Sequence, residues 1–356
     1  MRLTLSPSSR QLCAMLGVDV PLIQAPMAGV QDSELALAVS TAGALGSLPA
    51  AMLTPEGLRA ELGTLAQGTE RPVNINFFCH TPPPPDAARE ARWLARLAPY
   101  YAELGATPAP PAGPGRQPFD AAALALLLEF RPRVVSFHFG LPAAALLAPL
   151  KAAGAVILAS ATTVAEALWL EAHGADVVIA QGLEAGGHRG MFLSADVGTQ
   201  SGTFALLPQI VQAVRCPVVA AGGIADAAGI AAAMRLGAAG VQLGTAYLLC
   251  PEARTTAIHR AALQSEGARE TALTNLFSGR PARGIVNRLM REIGPCSPDA
   301  PAFPLATAAV APLRAAAEAV GSGEFSPLWA GQNVSGCRPV GAAELTRELA
   351  AGFLVA

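Results

Sequence analysis

The stretch DVVIAQGLEAGGHRG, Asp176–Gly190, decides how this chain is read. Val177, Val178, Ile179 and Ala180 form a short apolar run that ends in glycines, the pattern of a buried parallel strand opening into a tight βα loop. Two later stretches repeat it, AAGGIAD at Ala220–Asp226 and VQLGT at Val241–Thr245. Three strand ends with glycine mouths suggest one shared phosphate site. His188 lies inside the first glycine cluster, and no other histidine of the chain is so placed.

Outward from that stretch, apolar runs at 22–25, 44–48, 72–77, 134–137, 156–159, 177–180, 217–221 and 241–243 alternate with helical patterns. Eight such units favour a closed barrel over an open sheet, because right-handed crossovers make closure natural. The expected fold is therefore α/β, a (β/α)8 TIM barrel over residues 1–250, with a C-terminal helical extension over 251–356 packed across one rim. The rhythm breaks at 81–119, where proline-rich ends flank a helical run from Asp86 to Leu104. This βα-loop insertion either covers the barrel mouth or makes a plain surface excursion. After Gly244 the pattern changes to helices and loops, including a turn-rich stretch from Leu276 to Arg283.

A chain of 356 residues, 52% hydrophobic and 14% charged, has enough apolar side chains for a large core. The formal net charge of −2 and the absence of a basic block give no reason to expect nucleic acid. The N-terminus lacks the continuous apolar segment of a secretory signal, and the longest apolar run, Ala121–Leu128, is too short for a membrane span. The six cysteines show no CxxC pair and no histidine at metal-ligand spacing. A reduced, cytoplasmic protein with neither a metal site nor a membrane partner is the expectation.

Gly222-Gly223 and Gly244-Thr245 follow the seventh and eighth expected strands, where barrels commonly bind phosphate. Glycines let backbone N–H groups approach phosphate oxygens, although they also serve simply to turn a chain. No GxGxxG follows the first strand, so a Rossmann dinucleotide site has no support. Asn76, Gln181 and Gln242 sit in or at the ends of apolar strands. Buried amides must be paired, either by a heterocycle with alternating N–H and C=O groups or by loop backbone.

An imidazole at the position of His188 can accept a proton or donate to developing negative charge, and catalysis is its expected role. His138 either lines the pocket or satisfies the core, and His80 is a further pocket candidate. His173 and His259 read as structural or solvated. Glu184 has no partner carboxylate and reads as a cap or loop residue. Arg189 either attracts an anion or pairs with a surface carboxylate, and Trp329 is either pocket wall or core.

The segments QAPMAG (Gln24–Gly29), NINFFCH (Asn74–His80), AQGLEAGGHRG (Ala180–Gly190), AAGGIAD and QLGT (Gln242–Thr245), in this order, closely resemble the class I nitronate monooxygenases, formerly 2-nitropropane dioxygenases. The resemblance runs from Pro21 to Leu249 and more loosely to LWAGQ at Leu328–Gln332. It implies a TIM barrel holding FMN, with Met27 against the isoalloxazine ring. The implied cofactor-binding residues are Asn76, Gln181, Gly186, Gly222, Gly223, Gln242, Leu243, Gly244 and Thr245. His188 occupies the family's active-site position, and His138 would line the substrate pocket. The implied reaction is oxidation of an alkyl nitronate, propionate-3-nitronate among the candidates, with O2 to a carbonyl compound and nitrite. Related barrels with this motif include NAD(P)H-dependent flavin oxidoreductases such as enoyl-acyl carrier protein reductases. A flavin-binding module without turnover is the reading from another class.

Overall fold

A strand buried on both faces reads as a near-continuous apolar run, and most positions of the short runs of this chain meet that demand. A computed structural model describes residues 5–108 and 115–353. The proline- and glycine-rich residues 109–114 of the insertion, and residues 1–4 of the stretch read for a signal, lie outside the described residues. The strands in chain order are β1 (Leu22–Gln24), β2 (Gly46–Pro49), β3 (Val73–Phe78), β4 (Val134–His138), β5 (Val156–Ala161) and β6 (Val177–Gln181). They continue with β7 (Gly187–His188), β8 (Val218–Ala221), β9 (Gly240–Leu243), β10 (Thr271–Thr274) and β11 (Ala282–Ile285).

Eight of these pair in parallel in the order β1-β9-β8-β6-β5-β4-β3-β2. A parallel bridge between Ile23 and Leu45 joins the two ends, and Gln24 N donates to Leu45 O at 2.9 Å. The barrel is thereby closed, as the eightfold alternation predicts. Side-chain alternation divides the core in two. Ile23, Leu45, Val134, Leu158, Val177, Ile179 and Val219 fill the interior, while their neighbours Leu22, Val178, Ala180, Val218 and Val241 pack under the outer helices.

A helix at Pro7–Leu16, not anticipated from the sequence, adds Leu12, Cys13 and Leu16 to the interior cluster. Arg133, just before β4, donates to the carbonyls of Ala14 and Met15. The helix therefore closes the N-terminal end of the barrel. Full burial of Leu12 and Leu16 contributes about 1.5–3 kcal/mol each.

At the opposite end, the insertion helix Ala87–Leu104 starts at Asp86, whose side chain accepts from Arg89 N at 2.9 Å. Its apolar face, Trp93, Leu97, Tyr100 and Tyr101, shares a cluster with Val310, Leu313 and Ala317 of the helix Ala306–Ala319. Insertion and extension thus form one roof, and the surface-excursion reading does not hold.

The extension departs from the expectation of helices and loops alone. Strands β10 and β11 pair antiparallel, and β11 also pairs with β7, the two residues that carry His188. TALT and ARGI are only four residues each, too short for a periodic sign, and ARGI carries Arg283 and Gly284; tertiary pairing makes them strands. Among the described residues, no helix is long and apolar enough to cross a membrane.

Candidate active site

The C-terminal strand ends surround a cavity of about 1360 Å³, its open mouth included. Asn76, His138, Gln181 and Gln242 reach it from β3, β4, β6 and β9. Gly186, Gly222, Gly223, Leu243, Gly244, Thr245 and Met27 complete the lining expected from the sequence, together with His188. The structure brings all the residues assigned to the cofactor, the substrate pocket and catalysis to one space.

Two glycine features require glycine. Gly222 and Gly223 have φ of 116° and 74°, backbone that L-residues with side chains rarely adopt. A Cβ on Gly186 would lie 2.6 Å from Gly331 N, so the LWAGQ segment can pack there only against a bare backbone. That segment is stitched to the rim. Gly331 N donates to Thr245 Oγ1 at 2.9 Å, Gln332 N to Glu184 O at 2.9 Å, and Asn333 Nδ2 to Gly223 O at 3.0 Å.

The carboxylate of Glu184 accepts from Thr203 N at 2.8 Å and from Thr203 Oγ1 at 2.9 Å, at the start of the helix Thr203–Ala213. It therefore caps a helix, as read from the sequence.

The loop carrying His188 is held from three sides. Gln181 Nε2 donates to His188 O at 3.0 Å, and its Oε1 accepts from Gly190 N at 2.7 Å. Loop backbone therefore satisfies this amide. His138 Nε2 lies 3.1 Å from the same carbonyl; a carbonyl only accepts, so Nε2 carries the proton. Arg189, fully buried, donates to Gln181 O and Gly182 O at 2.7 Å and to Gln200 Oε1 at 2.8 Å. Both sequence readings of Arg189 fail, because its guanidinium braces the loop from beneath. The sequence also gave no signal for Glu166, a buried carboxylate that accepts from Thr162 N and Oγ1 at 2.7 Å, and from Phe192 N at 2.6 Å.

His188 itself lines the cavity, and its Nε2 lies 2.8 Å from Ser278 Oγ. Ser278 Oγ also reaches Arg280 O at 3.4 Å. With the hydroxyl proton directed there, Nε2–H donates to Oγ and the imidazole lone pair sits on Nδ1. Burial drives the His188 pKa well below its ordinary 6.5, and the nearby charge of Arg116, followed by His138, Arg280 and His80, adds to the shift. The ring is neutral at physiological pH, a hydrogen-bonding group rather than a cation. Burial likewise lowers His138 to about 4 despite the carbonyl contact, which favours the charged form.

Phe303 and Trp329 stand 5.3 and 5.5 Å from the His188 ring, and Phe139 and Phe78 at 6.1 and 6.4 Å. Of the other histidines, His80 packs edge-on at 4.8 Å from Phe303, and His173 stacks on Trp169 away from the cavity. His259, read as structural or solvated, is buried rather than solvated and also lines the cavity, with burial lowering its pKa to about 4. Sequence inspection alone had no means of assigning Ser278 or Phe303, which arrive from the extension. Arg116, from the insertion, also lines the cavity.

Fold and site together define a (β/α)8 barrel whose C-terminal rim frames a glycine-lined cavity with the imidazoles of His138, His188 and His259 in its wall. The family model for nitronate monooxygenase matches residues 9–352. A nitronate monooxygenase of Paraburkholderia phytofirmans is 46% identical over 96% of this chain and 94% of its own length. One of Pseudomonas aeruginosa is 45% identical over 94% and 96%. A solved structure, nitroalkane oxidase from Streptomyces ansochromogenes, superposes with a TM-score of 0.87 at 42% identity, covering 96% of this chain and 97% of the other. The chain belongs to the nitronate monooxygenase family, a flavin-dependent group of oxidoreductase enzymes.

Proposed function

We propose that the protein binds FMN and oxidises alkyl nitronates with O2 to a carbonyl compound and nitrite. The observation that carries this reading is the placement of His188, a neutral imidazole presented by β7 into the cavity ringed by the glycine loops.

The residues fit a flavin. Gln242 Oε1 is buried without a hydrogen-bond partner among the described residues, and an N–H of the heterocycle would satisfy it. Asn76 Nδ2 donates to Ser136 Oγ at 2.9 Å, which fixes the amide and leaves its oxygen as an acceptor. Met27 would lie against the ring, and the rim of Gly222-Gly223 and Gly244-Thr245 would take the phosphate through backbone N–H groups.

FMN, when bound, supplies the redox chemistry and the reaction with O2. The protein supplies position and proton control. With a neutral nitroalkane the Nδ1 lone pair of His188 would accept the α-proton, and the imidazolium so formed would hydrogen-bond the anionic nitro group. Ser278 and the β7–β11 pairing hold the imidazole, while the surrounding aromatic rings limit water around it. The six cysteines are free, in keeping with a reducing compartment, and we assign the protein to the cytoplasm.

Two substitutions test the reading. His188→Ala is expected to lose turnover by about 100-fold or more while retaining FMN, whereas Asn76→Ala weakens FMN binding. Full nitronate turnover in His188→Ala would remove the role given to this residue.

A further inference from the structure

We infer that Arg116 is the group that recognises the substrate's negative charge, so that the site takes a nitronate anion in preference to its neutral conjugate nitroalkane. The inference rests on the nitronate reading above. A neutral His188 leaves the cavity in need of another source of fixed charge. Among the described residues that line the cavity, Arg116 is the only lysine or arginine.

Arg116 is half-buried, and its Nη1 donates to Thr307 Oγ1 at 3.1 Å. Its Cζ lies 5.9 Å from the Phe303 ring centroid, and the His188 ring lies 5.3 Å from the same ring. Phe303 is thus a shared wall for the guanidinium and the imidazole, and Arg116 is the charged neighbour that acts most strongly on His188.

The guanidinium has no carboxylate partner among the described residues, and residues 109–114 contain neither Asp nor Glu. Glu184, an acid of the cavity lining, has both carboxylate oxygens within hydrogen-bonding distance of Thr203 N. The other arginines near the site are already engaged. Arg280 donates to Met191 O and sits 4.1 Å from the Phe139 ring, Arg189 braces three acceptors, and Arg283 donates to Leu183 O at 2.8 Å. A partly buried, unpaired guanidinium is costly unless an anion completes it. Its planar fork matches the two oxygens of a nitronate.

The test uses FMN-loaded wild type, Arg116→Met, Arg116→Lys and Thr307→Val. Steady-state kcat and KM are measured with a short alkyl nitronate and with its nitroalkane. Binding of nitrate, a planar monoanion, is followed by perturbation of the flavin spectrum. With an effective dielectric of about 20, loss of one charge at contact range is expected to raise nitronate KM and nitrate Kd in Arg116→Met by about tenfold or more.

The nitroalkane KM should change by less than about twofold, Arg116→Lys should recover most of the affinity, and Thr307→Val should fall between. Unchanged nitronate and nitrate affinity in Arg116→Met, or equal losses for nitronate and nitroalkane, would overturn the inference. If Arg116→Met fails to fold, the Lys and Val variants decide: wild-type discrimination in the first with reduced affinity in the second supports it, and wild-type affinity in the second overturns it. A wild-type enzyme inert toward nitronate would defeat the functional reading and this inference together. A wild type that turns over nitronate beside an Arg116→Met of normal affinity would defeat the inference alone.

Discussion

Replacing Gln242 with leucine should move two quantities in opposite directions. Gln242 Oε1 is buried and has no hydrogen-bond partner among the described residues, and such an atom costs about 1–3 kcal/mol relative to one that is paired. Leucine is similar in size and carries no acceptor, so the cofactor-free protein should gain up to that amount. With an unfolding entropy of about 2.1 cal/mol/K per residue, 1 kcal/mol in a chain of 356 residues corresponds to about 1.3 °C, and the expected rise in Tm is about 1–4 °C.

FMN affinity should fall, because the oxygen that completes a flavin N–H is gone. The same 1–3 kcal/mol corresponds to an increase of about 5- to 150-fold in Kd. Differential scanning fluorimetry of the cofactor-free protein and fluorescence titration with FMN measure the two quantities. A lower Tm together with unchanged FMN affinity would refute the reasoning, since Gln242 would then be serving the fold rather than the cofactor.

Ser278→Ala should lower kcat about 3- to 10-fold with a smaller effect on FMN binding, because it removes one hydrogen bond that orients the imidazole; steady-state kinetics check this. Glu166→Gln places an amide group where N–H donors converge, and should cost about 3–5 kcal/mol, read as a Tm lowered by about 4–7 °C. Burial holds His80, His138 and His259 at about 4 in the folded chain, below the ordinary value near 6.5. The unfolded chain therefore binds more protons between those values, so stability should rise from about pH 4 to 6.5 and stay level, for these groups, above it. Thermal unfolding across that range measures the slope, and a flat profile would count against buried neutral histidines.

The barrel was legible because its signal is local. Val177–Ala180 or Val241–Leu243 needs no distant partner to read as a buried strand, and the glycines after them mark the rim. The cavity wall was legible for the same reason, as Gln181, Gly222 and Gln242 lie at or beside strand ends. What holds His188 was hidden, because Ser278 is ninety residues away and reaches it through the β11–β7 pairing, for which ARGI carries no periodic sign.

Arg189 shows the reverse problem. A charged residue in a glycine loop reads as exposed, yet three acceptors, two of them backbone carbonyls, make its burial possible. The cavity-lining position of His259 was hidden because its helix belongs to the extension, whose contact with the barrel rim is tertiary and leaves no local sign.

Anaerobic titration of the purified, FMN-containing protein tests the central claim most directly. The account predicts that a short alkyl nitronate bleaches the flavin spectrum while NADH and NADPH do not. Bleaching by NADH or NADPH with no response to nitronate, or a protein that fails to take up FMN at all, would contradict it.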